Sequence, residues 1–352
     1  MSLDVARLYA TAWRVARRVP GPVLRAATTF GADAAWFRRG EGVRRLEANL
    51  GRVRPDLDER ALRRLSRAGM RSYMRYFGEA FALSGVSQAQ IHARVRVVGL
   101  EHVHPALERG ETVVLALGHL GNWDLAGAWS TLYLTPVTTV AERLQPEELF
   151  QEFLRFREGL GMTIVPLTGG GDVFRELMRA ARTGPRIIPL LADRDLTARG
   201  VEVDLFGHRA RVAAGPAALA VSTGSVLHAT VITYERLHGA RRRAAGTPWG
   251  LRVEFSPRIE VPADVPRAER VRVMTQAWVD HLAAGIRAWP QDWHMLQRVF
   301  VADLDPERYA ATLAEAGEST APSSPTGAAD PAAPDPAAAP DPAAAPDPRA
   351  AG

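Results

Sequence analysis

The sequence predicts an α/β fold, with one domain built on a central mixed, partly parallel sheet flanked by helices. From residue 92 to residue 255, short apolar runs typical of strands alternate with segments whose apolar residues recur at helical spacing. The first ~90 residues carry helical patterns only and predict an added helical layer. Residues 314–352 turn into a Pro/Ala-rich run that is too poor in apolar side chains to fold. We therefore expect a helical region over 1–90, an α/β core over 91–313 and a disordered tail over 314–352.

The N-terminal layer is strongly basic. Residues 1–75 hold 17 Arg and 7 Asp or Glu, a net charge of +10, whereas the remainder holds 27 basic and 32 acidic residues, a net charge of −5. Residues 3–18 place aromatic and aliphatic side chains on one helical face and arginines on the other. This pattern suits an anionic membrane surface, although a helix packed on the domain with a solvated Arg face has the same pattern.

A long helix is predicted over residues 56–83, with Asp56 or Asp58 as its N-cap. Its apolar residues form a stripe that is either ordinary core or the lining of a lipid groove: Leu62, Leu65, Tyr73, Phe77 and Phe81. Further helices are predicted at 23–50, 101–109, 125–134, 147–160, 172–182, 216–222 and 266–289. Strands are predicted at 95–98, 112–117, 136–140, 163–165, 186–191, 201–206, 209–212, 226–234 and 251–255. Residues 241–243, three arginines, are expected in an exposed loop.

The segment 117–124 follows an apolar strand and precedes a helix, which is where ligands bind in open α/β sheets. His119 there is suited to take a proton from a hydroxyl, and Asp124 could fix the tautomer of the imidazole. Five residues correspond to an offset of ~140° on a helix, so the pair works only if His119 precedes the helix. Gly121 would allow the tight turn and Asn122 is a suitable N-cap. Alternatively, His119 is structural and Asp124 only compensates the helix dipole.

Charged residues also follow other predicted strands. Asp193, Arg194 and Asp195 come at the end of the strand at 186–191, in a position that suits either the rim of an active site or a loop of ion pairs. Glu142 follows the strand at 136–140, and Arg157 lies on the next helix.

Several sequence patterns that define other enzyme classes are absent. The chain has no cysteine, which excludes disulfides, thiolate nucleophiles and Cys-bound zinc. It has no Gly-x-Ser-x-Gly elbow, no Gly-x-Gly-x-x-Gly and no His-Glu-x-x-His, so neither a bound cofactor nor a metal is expected. A base without a protein nucleophile points to direct attack by a hydroxyl of the substrate. No run of ~18 apolar residues and no signal-peptide pattern is present, so no transmembrane helix is expected.

Three blocks in order resemble the lipid A biosynthesis (lauroyl/myristoyl) acyltransferase family, a member of the His-x4-Asp glycerolipid acyltransferase superfamily. They are Gly118–Asp124, Leu191–Asp195 followed by Gly200–Gly207, and Ala214–Ala217. The residues in these blocks are most similar to those of the actinobacterial branch that acts on phosphatidylinositol mannosides. The resemblance covers about residues 1–305.

The resemblance implies an acyl-CoA co-substrate and a sugar hydroxyl of a membrane lipid as the acceptor. It implies that His119 is the general base, with Asp193 or Asp124 as its acidic partner. Glu142 and Arg157 match positions that line the acceptor groove. Arg194, Asp195, Gly121 and Asn122 are further expected to contact substrate, with Arg194 or backbone N–H groups at 121–123 binding the oxyanion.

Together with the basic N-terminal region, the resemblance implies a peripheral O-acyltransferase on the cytoplasmic face of the cell membrane that moves an acyl chain to a mannose hydroxyl of a phosphatidylinositol mannoside. An acyltransferase for another glycolipid or a lysophospholipid has the same chemistry. A non-catalytic protein that binds anionic surfaces is a third possibility, but the net-acidic remainder argues against nucleic acid as a partner.

Overall fold

The computed structural model describes residues 19–143, 147–167, 172–261 and 264–318. Its strands are β1 Val95–Val98, β2 Val113–Leu117, β3 Thr138–Glu142, β4 Thr163–Leu167, β5 Ile187–Leu191, β6 Val201–Leu205, β7 His208–Val212, β8 Val226–Arg236 and β9 Trp249–Phe255. At the centre is a five-stranded sheet in the order β1-β9-β8-β2-β5, in which only β8 and β9 are antiparallel neighbours. β3 and β4 form a parallel pair beside β5, and β6 and β7 form a hairpin. The predicted mixed, partly parallel sheet is confirmed.

Helices cover both faces of this sheet. They are α1 Gly21–Arg38, α2 Glu41–Val53, α3 Glu59–Leu83, α4 Gln88–Arg94, α5 Leu100–Glu108, α6 Trp123–Tyr133, α7 Glu147–Gly159, α8 Asp172–Ala181, α9 Gly215–Thr223, α10 Gly239–Ala245, α11 Arg270–Ala288 and α12 Pro306–Glu318. Alternate residues of β2 belong to different cores: Val114 and Ala116 pack with α8, α9 and α11, whereas Val113, Leu115 and Leu117 pack with α3 to α7. β2 is therefore buried on both sides, as its unbroken apolar sequence predicts.

The register of β2 with β5 positions the residues that follow these two strands, which include the predicted site residues. Leu117 pairs with Leu191, so the two parallel strands end level with each other. The Ala192 N–H donates to the carbonyl oxygen of Leu117 at 2.8 Å, which continues the ladder one residue further. The residues that follow each strand, at 118–119 and 192–193, are consequently neighbours at one edge of the sheet.

Helix α3 begins where the sequence predicts, with the Asp58 carboxylate accepting the Ala61 N–H at 2.6 Å. The residues of its predicted stripe are half-buried and pack against the apolar cores: Leu62, Leu65, Tyr73, Phe77 and Phe81. The fully buried positions include Gly69, Met70, Tyr76 and Gly78. A Cβ at Gly78 would lie 2.7 Å from the Thr28 side chain, so α1 packs against the small residues of α3.

Two other predictions are corrected or limited by the structure. Residues 241–243 are not in a loop but in the short helix α10, which ends at Gly246 in the left-handed conformation (φ 67°). The amphipathic helix predicted at 3–18 lies outside the described residues, as do residues 319–352. Among the helices that are described, none is both long enough and apolar enough to cross a membrane. The predicted boundaries at 90/91 and 313/314 fall inside α4 and α12, and the division into regions stays a prediction.

Candidate active site

The imidazole of His119 and the carboxylate of Asp193 meet at the ends of β2 and β5. The His119 Nδ1 lies 2.6 Å from the Asp193 Oδ1, and the backbone N–H of His119 donates to the Asp193 Oδ2 at 2.9 Å. The Trp293 Nε1–H donates to the same Oδ2, also at 2.9 Å. Asp193 is 1 % exposed, whereas the His119 side chain is 36 % exposed. A buried carboxylate thus supports an imidazole that reaches the surface.

The hydrogen bonds around Asp193 keep it ionised. Burial acts to raise the pKa of this carboxyl group, but the charge and N–H groups of His119 and the indole N–H of Trp293 outweigh burial, so the pKa is lowered. An ionised Asp193 accepting from Nδ1 places the imidazole proton on Nδ1. The tautomer that results has Nε2 as its basic nitrogen.

The other carboxylate, Asp124, accepts from a different pair of donors. Its Oδ1 accepts from the Arg157 Nε at 2.8 Å, and its Oδ2 accepts from the Tyr76 hydroxyl at 2.9 Å. Asp124 and Arg157 are both largely buried, and the pKa of Arg157 is raised, since the neighbouring carboxylate outweighs the effect of burial. Of the two acids proposed from the sequence as partners of His119, the structure places Asp193 on the imidazole and Asp124 on Arg157.

The turn between β2 and α6 depends on Gly121 and Asn122. Gly121 has a φ of 60°, and a Cβ there would lie 2.6 Å from the carbonyl oxygen of Ile232. Asn122 is the predicted N-cap: its Oδ1 accepts the Leu125 N–H at 2.9 Å, while its Nδ2 donates to Glu79 at 3.1 Å. These contacts let His119 precede the helix and place Asp124 in its first turn.

A segment that sequence reasoning missed, Asp292–His294, forms the back of the site. It pairs with the turn as an antiparallel bridge: the Gly121 N–H donates to the carbonyl oxygen of Asp292 (3.1 Å), and the His294 N–H donates to that of His119 (2.7 Å). An Asp-Trp-His run shortly after the last predicted long helix was the available sign. No spacing relates it to His119, because the contact is entirely tertiary.

The side chains of this segment are buried with perturbed pKa values. Burial raises the pKa of Asp292 to about 6, although its carboxylate accepts from the Ser72 hydroxyl (2.6 Å) and the Tyr234 N–H (2.8 Å). Burial, with the nearby Arg75, lowers the pKa of His294 to about 3. Neutral His294 is 3.0 Å from the Ser72 hydroxyl. The Ser72 hydroxyl thus contacts both side chains inside the protein, where burial shifts their pKa values.

The remaining predicted site residues lie nearby but have other described contacts. Arg194 donates through Nε to the carbonyl oxygen of Arg298 at 3.0 Å, and the Asp195 carboxylate accepts the Thr197 N–H at 2.8 Å. Glu142 is the last residue of β3, and its side chain lies outside the described residues. The structure brings together His119, Asp193, Asp124 and Arg157 around one turn; contact of Arg194, Asp195 and Glu142 with substrate stays a prediction.

Comparisons with known proteins identify the family of the chain. The model of the bacterial lipid A biosynthesis acyltransferase family matches residues 3–301. The chain belongs to that family, which confirms the resemblance found in the sequence and makes the protein an acyltransferase.

Two relatives are similar to the chain over most of its length. The phosphatidylinositol mannoside acyltransferase of Mycolicibacterium smegmatis is 40% identical over 304 residues, which cover 86% of this chain and 93% of the relative. Its namesake in Mycobacterium tuberculosis (strain H37Rv) is 39% identical, covering 86% and 90%. Among solved structures, the 1-acyl-sn-glycerophosphate acyltransferase of Thermotoga maritima aligns over 74% of this chain and 97% of that one. It does so at 12% identity and a TM-score of 0.34, too low a similarity to bear on function.

Proposed function

We propose that the protein transfers a fatty acyl chain from acyl-CoA to a mannose hydroxyl of a phosphatidylinositol mannoside, with His119 as the general base. The observation that carries the proposal is the His119–Asp193 pair at the ends of two parallel strands. The names of the two mycobacterial relatives supply the acceptor. The absence of cysteine from the chain supports direct transfer without a thioester on the enzyme.

In this mechanism the Nε2 of His119 removes the proton from the acceptor hydroxyl. The oxygen attacks the thioester carbonyl carbon, and the C–S bond then breaks. The imidazolium returns its proton to the leaving thiolate of coenzyme A, so the enzyme ends the cycle unchanged. Asp193 stabilises the imidazolium formed between the two steps.

The negative charge that develops on the carbonyl oxygen needs hydrogen-bond donors. The Gly121 N–H already donates to the carbonyl oxygen of Asp292, so the amides of Asn122 and Trp123 at the start of α6 suit this role better. They lie at the positive end of the helix dipole, which favours an oxyanion.

We propose further that the protein works as a peripheral enzyme on the anionic cytoplasmic face of the membrane. On α1, Val23, Phe30 and Phe37 are 56 %, 73 % and 82 % exposed. They are spaced seven residues apart and so share one helix face. This exposed apolar stripe lies in the most basic part of the sequence, a combination that suits insertion between acidic headgroups. Helix α1 packs on α3, which carries Tyr76 to the active site.

The proposal is tested by incubating the purified chain with palmitoyl-CoA and vesicles that contain one acceptor each. The acceptors are a phosphatidylinositol mannoside, a lysophospholipid and a lipid A precursor, and products are read by mass spectrometry. We expect the mannoside to be acylated and His119→Ala to reduce transfer to background. The matched control is His104→Ala, which removes an exposed histidine paired with Glu108 and should leave transfer unchanged. Acylation of another acceptor alone, or transfer by His119→Ala at the rate of the unaltered chain, would overturn the proposal.

A further inference from the structure

We infer that Trp293 is a positioning residue for the general base, holding the Asp193 carboxylate in the plane that aims Oδ1 at the His119 imidazole. This inference rests on the proposed role of His119. It concerns a side chain that is fully buried, 100 residues beyond Asp193 in the sequence, and joined to it by the indole N–H.

The geometry divides the two oxygens of Asp193 between different tasks. Oδ2 accepts two N–H groups at 2.9 Å, one from the backbone of His119 and one from the Trp293 indole. Oδ1 accepts only the imidazole among the contacts described, at 2.6 Å. Two donors on one oxygen fix the rotation of the carboxyl group, and the remaining oxygen then has one direction in which to point.

The Trp293 indole is itself held firmly. The backbone of residues 292–294 forms the antiparallel bridge with Leu120, and the adjoining Gly121 and His119 supply the hydrogen bonds of that bridge. The indole ring packs against Phe206 with ring centroids 5.9 Å apart. The same short segment therefore fixes the backbone of His119 from one side and its acidic partner from the other.

A second tryptophan provides a matched control. Trp278 on α11 is also fully buried and lies in the same apolar core. Its indole nitrogen has no hydrogen-bond partner among the described residues. Trp278→Phe and Trp293→Phe thus remove a similar buried volume, but only Trp293→Phe also removes an N–H from Asp193.

The first test measures acyl transfer against pH. Without the indole donor, Asp193 becomes a stronger acceptor for the imidazolium, so the pKa of His119 should rise and the acid limb of the kcat/KM profile should move up by about half a unit to one unit. We expect kcat to fall about tenfold at unchanged KM, and Trp278→Phe to change neither quantity. Burial raises the pKa of Asp292 to about 6, so Asp292 titrates in the same pH range as the acid limb. The profiles are therefore repeated in an Asp292→Asn background. Trp293→Phe profiles that match those of Trp278→Phe would overturn the inference.

A double-mutant cycle separates positioning from packing. If Trp293 acts through Asp193, then Trp293→Phe should cause little further loss of kcat in an Asp193→Asn background. If Trp293 only packs, the two losses should multiply, and the inference is wrong.

A measurement on the unaltered chain decides the question if Trp293→Phe does not fold, or if no acceptor is acylated. In an NMR titration with ¹⁵N-labelled tryptophan, one indole N–H resonance should follow the titration of His119 and stop doing so in His119→Ala. The Trp278 resonance should not respond. If no indole resonance follows His119, the inference fails, whatever the outcome of the acyl-transfer assay.

Discussion

Replacing Asp193 with Asn tests the assignment of the base with almost no change in shape. Oδ2 of Asp193 accepts two N–H groups, so the Asn carbonyl oxygen must take that place and the amide nitrogen must face the His119 Nδ1. An N–H facing Nδ1 makes Nδ1 the acceptor and moves the imidazole proton to Nε2, the nitrogen that should remove the proton of the acceptor. The substituted enzyme then holds its base in the wrong tautomer.

The size of the effect follows from that geometry. The same exchange in the serine protease triad, where an Asp also holds the tautomer, lowers kcat by about 10⁴. We expect Asp193→Asn to lower kcat by roughly 10³- to 10⁴-fold, or about 4–5.5 kcal/mol in the barrier. The pKa of His119 should also fall, because the neighbouring negative charge is removed.

The assay follows release of the coenzyme A thiol with a chromogenic disulfide, in the presence of mannoside vesicles, between pH 5 and 9. Asp204→Asn is the matched control. Asp204 lies on β6, away from the predicted site residues, and accepts the Gly207 N–H, which an Asn carbonyl can also accept. A rate above one tenth of the original for Asp193→Asn, with a fully folded enzyme, would refute the role given to Asp193.

Three further outcomes are expected. Asp124→Ala should lower the free energy of unfolding in urea by about 3–5 kcal/mol, because it leaves the buried Arg157 without its carboxylate. His294→Gln should reduce the loss of stability that urea unfolding measures as the pH falls from about 6.5 to 3. The reason is that the unfolded histidine binds a proton below pH ~6.5, whereas the folded one binds it only near its lowered pKa of about 3. Gly121→Ala should cost at least ~2 kcal/mol and Gly207→Ala only about 1, since both have positive φ but only Gly121 has a backbone oxygen in the way.

Each of these outcomes has its own comparison. Glu152→Ala removes an exposed ion pair with Arg155 on α7 and should cost less than ~1 kcal/mol, so an equal loss for Asp124→Ala would contradict its burial argument. For His294, the sign matters: a steeper fall of stability in the variant as pH decreases would contradict the reasoning. Asp292, with its pKa raised to about 6, has the opposite effect on stability between about pH 4 and 6. The variant is therefore compared with the unaltered chain at each pH.

Local sequence patterns predicted most of the fold. The unbroken apolar run of β2 and the glycines and capping residue after it predict a strand, a tight turn and a helix, and the structure has all three. Local pattern failed where packing with a distant element decides the outcome. On α3, small residues such as Gly78 are more deeply buried than the predicted apolar stripe, and α1 approaches closely at Gly78. Residues 241–243 lie in a helix that ends at Gly246 in the left-handed conformation, and three successive charges do not reveal that helix.

The sequence also predicted part of the candidate site. His119 follows from its position after a strand, and Asp193 from its place after the adjacent strand together with the family resemblance. The sequence could not decide between Asp124 and Asp193, since the answer depends on the register of β2 with β5. Trp293 was missed because, without knowledge of the tertiary contact, a tryptophan is assigned to ordinary core, which is where Trp278 in fact lies.

The wide separation of the site residues in the sequence has a consequence for synthesis of the protein. His119 and Asp193 are 74 residues apart, and Trp293 follows after another 100. At about 5–20 residues per second, a nascent chain carries the first two for at least several seconds before the third is made. During that time the bridge behind His119 does not exist, and the loop that closes it is among the longest in the fold. The candidate site is therefore complete only once residues 292–294 have left the ribosome, and a shorter unfinished chain should lack full acyltransferase activity.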